Sequence, residues 1–419
     1  MVPLDRHLEV AIVGAGVAGL AAALYLHRTG HRVTLYEQFP APRPIGSGLL
    51  LQPTGLAVLA DLGLVDGICA LGQRVERLHG ADASSGRTVL DVAYRGGQFG
   101  LGIHRAALFE VLFDAVLAAG ITIRTGERIL RITSHDGRSK LEGADGAADN
   151  ATFDLVVDAS GARSELVDPS SPGARRQSLA YGAFWATVTW PGAPFRADAL
   201  QQRYDAARIM VGVLPVGYQG RVARQQDKPC CALFWSLKSA DVAAVKARGL
   251  EAWKADVRRY WPATELLLDQ IASFEELTFA SYGHHTLARP YRDGLIHIGD
   301  SAHATSPQLG QGANMALLDA AALAMAVERA QELNDIGPIY ATARRRHVRV
   351  FQFMSRALTP FYQSDGRIIP FARDTLVATV ARIPPMPQIL AALVAGTLVD
   401  PFRPIGLAPW RPEPDADNP

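Results

Sequence analysis

The stretch that most constrains this chain is Leu8 to Val13, a short apolar run that passes directly into Gly14-Ala15-Gly16-Val17-Ala18-Gly19. A run of this length, bounded by glycine, reads as a buried parallel strand. Leu20 to Thr29 then has helical patterning, Gly30 stops the helix, Arg32 to Tyr36 makes a second strand, and Glu37 stands at that strand's carboxyl end. Each part of this βαβ unit has a chemical use. Glycines permit a tight turn and close backbone approach, the helix N-terminus receives a pyrophosphate, and the Glu37 carboxylate accepts hydrogen bonds from ribose hydroxyls. The unit implies an adenine dinucleotide, with Gly14, Gly16, Val17, Ala18, Gly19, Glu37 and the adjacent Gln38 as candidate binding residues. A purely structural glycine turn would not explain an acid at that strand end.

Downstream, Arg43 to Pro53 is a glycine-rich loop running into an apolar segment, and Gly46 and Gly48 would let the backbone approach a flat ring. His104 and Arg105 open a helical stretch, Ala106 to Ala118, where a cation reaches phosphate or ribityl oxygens unless it is simply solvated. Ile121 to Ile123, Ile129 to Ile132 and Asp154 to Asp158 read as short strands, the last ending in Ala159-Ser160-Gly161-Ala162-Arg163. From Tyr181 to Trp190 the pattern changes to period two with aromatics, and strand-like runs follow at Ile209 to Val213 and Cys231 to Leu237. This change marks residues 181–280 as a separate antiparallel sheet domain suited to hold a substrate. Phe184, Trp185, Phe234 and Trp235 are its candidate pocket residues, and alternation lets only one of each neighbouring pair face inward.

The chain then returns to the first domain: strand Leu295 to Ile298, Gly299-Asp300-Ser301-Ala302-His303, Pro307, Gly310-Gln311-Gly312, and a helical run from Ala313 to Val327. A second glycine-rich strand-to-helix junction suits a long cofactor. FAD needs a second site for its ribityl chain and isoalloxazine ring, and NAD does not. Asp300 is placed to accept from ribityl hydroxyls, and the helix N-terminus at Gly312, Ala313 and Asn314 to offer N–H groups to the pyrimidine edge. Pro307, Gly310 and Gln311 complete the candidate flavin loop. His303 is a tempting general base, but a histidine this close to a cofactor loop is more often an orienting residue.

The expected architecture is therefore α/β (α+β): a Rossmann-like FAD-binding domain from residues 1–180 and 281–360, the antiparallel substrate domain 181–280, and C-terminal helices with a polar tail over 361–419. Residues 76–100 stay open to either sheet. The apolar run Ile389 to Leu398 reads as a core or interface helix rather than a cap on the site.

A length of 419 residues exceeds what one hydrophobic core usually supports, consistent with two domains. A formal net charge of +1 without basic runs excludes a nucleic-acid or anionic-membrane footprint and leaves a small molecule as the partner. Three cysteines, Cys69, Cys230 and Cys231, give neither a disulfide framework nor metal-ligand spacing, which fits the cytoplasm. Met1 to Glu9 lacks a signal peptide's apolar region, and no apolar run reaches the roughly 18 residues of a membrane span.

Three motifs resemble those of the group A flavoprotein monooxygenases, the fold of para-hydroxybenzoate and salicylate hydroxylases, and the resemblance covers nearly the whole chain. Gly14 to Gly19 with Glu37 is similar to the family's ADP-binding fingerprint, and Gly299 to His303 with Pro307 and Gly310 to Asn314 resembles its ribityl and isoalloxazine motif. Asp154 to Ser164 resembles its middle motif, with Ser160 where an aspartate is expected and Val167 where an arginine often follows. The serine is similar to geranylgeranyl-reductase-like and halogenase-like relatives, although the halogenase tryptophan pair is absent. By resemblance Arg105 contacts FAD, the Ile129 backbone meets adenine, and Arg43 lies near the flavin entrance. The resemblance implies a monomeric or homodimeric enzyme that uses FAD, NADH or NADPH, and O₂. A flavin C4a-hydroperoxide oxygenates a small aromatic or heteroaromatic substrate, and the protein supplies position and exclusion of water. An FAD-dependent reductase or dehydrogenase and a non-catalytic redox sensor are the alternatives.

Overall fold

The computed structural model describes residues 7–41, 47–135, 137–144, 151–366 and 383–412. Arg43 and Gly46 lie outside the described residues.

A six-stranded sheet organises the cofactor half, in the order Tyr291–Arg292, Leu295–His297, Leu155–Asp158, Glu9–Val13, Arg32–Glu37 and Thr122–Thr125. All its pairings are parallel except that of the edge strand Tyr291–Arg292. The register sets Val13 beside Asp158, and Asp158 beside His297, so three strands end in line. The sheet's central strands Leu295–His297, Leu155–Asp158 and Glu9–Val13, buried on both faces, are nearly continuous apolar runs. Helix Val17–Arg28 lies on one face against helix Gly312–Arg329. Their small residues, Ala21, Ala22 and Ala23 on one and Ala320, Ala321 and Ala322 on the other, are all buried. Such side chains let helix backbones approach closely.

The second sheet has seven strands, in the order Thr278–His284, Gln177–Thr189, Cys230–Lys238, Ile209–Gly217, Ala199–Asp205, Arg77–Asp82 and Thr88–Ala93. It is antiparallel except where Ala199–Asp205 runs parallel to Arg77–Asp82. Strands from residues 77–93 thus extend it beyond the run 181–280 that period-two patterning marks. One face packs under helix Leu250–Tyr260 around Phe184, Trp235 and Trp253. The other face, with Leu78, Leu214 and Ala232, turns toward strand Gly48–Leu51 and helix Met386–Ala395.

Helix Leu333–Tyr362 crosses behind the second junction, started by a capping box between Glu332 and Asp335. Its Arg344 reaches the fully buried Asp319, with Nε donating to Oδ1 at 2.7 Å. Asp319 Oδ2 also receives Gly299 N at 2.8 Å and His303 Nε2 at 2.6 Å. Burial alone would raise this carboxyl's pKa, but His303 and Arg344 outweigh it and hold it well below the ordinary range. The apolar run at Ile389–Leu398 is helical only to Ala395, where Gly396 closes it in the left-handed conformation at φ +82°.

Asp319→Ala is expected to cost about 3–5 kcal/mol, because it leaves Arg344 buried without its counter-charge. Guanidinium unfolding checks this. An unchanged midpoint would show that the pair contributes nothing.

Candidate active site

At the first junction the glycines are needed for distinct reasons. Gly14 adopts φ +104°, and a Cβ there would lie 2.6 Å from the Ala159 carbonyl oxygen. A Cβ on Gly19 would lie 1.9 Å from Gly14 O, so helix and turn could not close. Gly16 is exposed and faces open space, which suits the close approach of a phosphate. Glu37 is buried and already holds this loop: Ala15 N donates to Oε2 and Phe39 N to Oε1, each at 3.0 Å. Each carboxylate oxygen keeps a lone pair for a ribose hydroxyl. Val17 and Ala18 begin the helix, and Gln38 is exposed beyond the strand. The Ile129 side chain packs beside Tyr36 and Val13.

Between the junctions lies Asp158, buried on the middle strand. His297 Nδ1 lies 2.7 Å from its Oδ2, Ser164 Oγ donates to the same oxygen at 2.6 Å, and Ser160 donates to Oδ1 through N at 3.0 Å and Oγ at 2.6 Å. Burial raises its pKa, and these hydrogen bonds bring it below the usual carboxylate range. Ser160 therefore closes the turn after the strand by bonding backward to Asp158. Val167 is half-buried just beyond.

At the second junction Gly299 turns with φ +62° and Asp300 is exposed, its Oδ1 4.0 Å from where a Cβ on Gly312 would sit. Pro307–Leu309 forms a 3₁₀ turn closed by left-handed Gly310. The hydrogen-bond ladder of helix Gly312–Arg329 begins with Met315 N to Gln311 O, leaving the amides of Gly312, Ala313 and Asn314 for a ligand. The Asn314 side chain is committed to the protein, and that of Gln311 through its Nε2 alone. Asn314 Oδ1 accepts from Gln52 N at 2.8 Å, and its Nδ2 donates to Leu50 O at 3.2 Å and Gly310 O at 2.9 Å. Gln311 Nε2 donates to Val394 O at 2.8 Å, tying the flavin loop to helix Met386–Ala395. His303 is spent on Asp319 and is an orienting residue.

Arg105 is exposed at the start of helix Arg105–Ala118, its N bonded to Ser47 O at 2.9 Å, and its charge reaches Tyr282. His104 caps that helix: Nδ1 accepts from Ala106 N at 3.1 Å, and Nε2 lies 3.1 Å from Thr187 Oγ1. Burial, aided by Arg105, pushes the His104 pKa down to about 4. Gly48 has a different reason from the expected ring contact. A Cβ there would lie 2.4 Å from Val216 Cγ1, so the glycine serves the packing of its strand on the substrate sheet.

The four aromatic candidates divide by strand alternation. Phe184 and Trp235 stack with centroids 6.4 Å apart and pack on Trp253, so they are core residues of the outer face and are removed from the pocket set. Trp185 and Phe234 lie on the inner face with centroids 4.7 Å apart. Trp185 Nε1 donates to Tyr282 OH at 2.9 Å, a partner the sequence did not single out because one tyrosine in a strand carries no local signal. A hollow of about 960 Å³ is bounded by Asp154, Leu155, Arg292 and Leu295 at the start of the parallel strands. Ligands of open α/β sheets bind at the opposite, carboxyl ends, where both glycine junctions open.

A family model described as "FAD binding domain" matches residues 7–226 and 234–348. The chain is 28% identical over 416 residues to 6-methylpretetramide 4-monooxygenase of Streptomyces rimosus, covering 94% of each chain. It is 26% identical to 6-hydroxynicotinate 3-monooxygenase of Bordetella bronchiseptica, over 77% of this chain and 83% of that one. Among solved structures, Klebsiella pneumoniae HpxO complexed with FAD and uric acid superposes with a TM-score of 0.78 at 20% identity, over 94% of this chain and 97% of that one.

Two outcomes are expected. Glu37→Ala should weaken FAD binding by about 1–3 kcal/mol, read by titrating apoprotein with FAD; equal affinity would show that Glu37 serves the loop alone. The second concerns acid. His104 has a folded pKa below its ordinary 6.5, so the unfolded chain takes up the proton first. Its stabilising effect is complete above about pH 6.5 and falls away toward about pH 4. Thermal midpoints should drop across that window, and less steeply in His104→Asn, which keeps a capping side chain. Parallel profiles would contradict the assignment.

Proposed function

The chain belongs to the FAD binding domain family, and on that membership we propose a FAD-dependent monooxygenase that oxygenates a small aromatic or heteroaromatic substrate, with NADH or NADPH as reductant. The observation that carries this reading is that two glycine junctions open at the same edge of one parallel sheet. The residues present fit FAD. Exposed Gly16 and the first turn of helix Val17–Arg28 would take the pyrophosphate, and Glu37 the adenosine ribose. Asp300 would take ribityl hydroxyls, and the Gly312, Ala313 and Asn314 amides the pyrimidine edge. Arg105 would add positive charge beside the phosphates or ribityl chain. When bound, FAD supplies the electrons that activate O₂ and the delivery of one oxygen atom to an electron-rich carbon.

The chain's own part is to position and to dry the site. Trp185 and Phe234 on the inner face of the substrate sheet, with Leu50 and the apolar side of helix Met386–Ala395, form a wall that excludes water. The hydrogen bond from Gln311 to Val394 fastens that helix to the flavin loop. Residues 1–76, 94–180 and 281–360 constitute the cofactor domain in this reading, 181–280 together with the strands from 77–93 the substrate domain, and 361–419 the C-terminal part. Among the described residues no helix is long and apolar enough to cross a membrane. We place the enzyme in the cytoplasm as a monomer or homodimer.

Reaction under labelled O₂ tests the proposal. A panel of phenols and heteroaromatic acids supplied with NADH or NADPH is expected to give a product carrying one labelled oxygen, with substrate-stimulated consumption of the reductant. Product formed at full rate without O₂, or carrying oxygen only from water, would replace the monooxygenase with a dehydrogenase.

A further inference from the structure

Gln52 stands outside the roles given above for cofactor and wall. It follows strand Gly48–Leu51, caps helix Pro53–Asp61, and is completely buried. Its Oε1 accepts from Tyr94 OH at 2.6 Å, and its backbone N is fixed by Asn314. Its Nε2 is buried with no hydrogen-bond partner among the described residues. That nitrogen lies 3.5 Å from the position a Cβ on Gly310 would occupy, beside the loop that approaches the flavin. The neighbouring surfaces are apolar. Leu50 lies on the same side of Gly310, and Tyr94 and Leu50 both pack in the cluster that contains Leu214, Ala391 and Val394. A primary amide with two unused N–H groups in such surroundings carries a desolvation penalty unless something accepts from it. Small-molecule sites are commonly built this way, as an apolar wall with one or two fixed polar groups.

We propose that Gln52, braced by Tyr94, is a specificity-determining residue that donates a hydrogen bond to an oxygen of the aromatic substrate, a carbonyl, hydroxyl or phenolate. This deepens the monooxygenase reading and rests on it. Tyr94 sets the direction. Its O–H donates to the amide oxygen at 2.6 Å, which leaves the NH₂ turned toward Gly310. A neutral donor of this kind recognises an oxygen acceptor and gives nothing to an oxygen-free ring. It also prefers an oxygen at one point of the ring system, which would orient the carbon to be oxygenated relative to the flavin loop.

The test uses oxidised holoenzyme and a matched pair of probes, 4-quinolone and the oxygen-free quinoline, with binding read from the perturbation of flavin absorbance. Wild-type protein is expected to bind the quinolone about tenfold more tightly, the difference made by one satisfied hydrogen bond. Gln52→Leu should remove that preference while leaving quinoline affinity and FAD content unchanged. Tyr94→Phe, which frees the amide to rotate, should reduce the preference without abolishing it. The ratio of the two affinities cancels any general loosening of the fold, so a merely structural role for Gln52 would leave it unmoved. A preference that survives in Gln52→Leu overturns the proposal, and so does wild-type protein that binds both probes alike or neither. Labelled-oxygen incorporation judges the monooxygenase reading separately, so the proposal can fail while that reading stands.

Discussion

Everything in this molecule follows from the ending of three strands in register. Val13, Asp158 and His297 lie side by side at the carboxyl edge of the parallel sheet, and each is followed by a turn that must bend away at once. Asp158 fastens all three. Its strand carries Ala159 N to Val13 O at 2.8 Å on one side and Ile298 N to Asp158 O at 3.0 Å on the other. Its side chain takes His297, Ser160 and Ser164, and Ser301 Oγ donates to its carbonyl at 2.7 Å. A buried carboxylate is costly unless its lone pairs are satisfied, and here each oxygen has two partners. The first and last turns, those of the two glycine junctions, thereby sit on opposite sides of one fixed point. A long cofactor can span them only because that spacing does not change.

The same economy explains which part of the site was legible in the sequence. Gly14, Gly19 and Gly299 have meaning within a few residues, since a strand must turn tightly into a helix, and local spacing exposes that need. Glu37 was legible for the same reason, although its hold on the Ala15 and Phe39 amides depends on the folded loop. Ser160 read as a departure from a pattern, and its hydroxyl turns out to complete the shell of Asp158. Asn314 and Gln311 belong to the flavin motif, yet their side chains bind Gln52, Leu50 and Val394, partners as far as 264 residues away. No local pattern reveals a contact of that separation.

The substrate sheet shows the limit most plainly. Period two announces a sheet with two different faces but does not say which face meets the cofactor. That choice was made by Trp253 and its helix, which cover Phe184 and Trp235 and leave Trp185 and Phe234 on the other side. Gly48 was similarly ambiguous, because the neighbour that forbids a side chain there, Val216, comes from the other sheet. Strands Arg77–Asp82 and Thr88–Ala93 join the same sheet from within the cofactor half of the sequence, so the two halves are interleaved rather than consecutive.

The central claim is that one ligand lies across both junctions, held at each end. Calorimetric titration of apoprotein with FAD, FMN and ADP tests it directly. Two linked half-sites make the second contact intramolecular, so FAD should bind at least about a hundredfold more tightly than either fragment. FMN or ADP binding as tightly as FAD would contradict the account, because a single junction would then suffice.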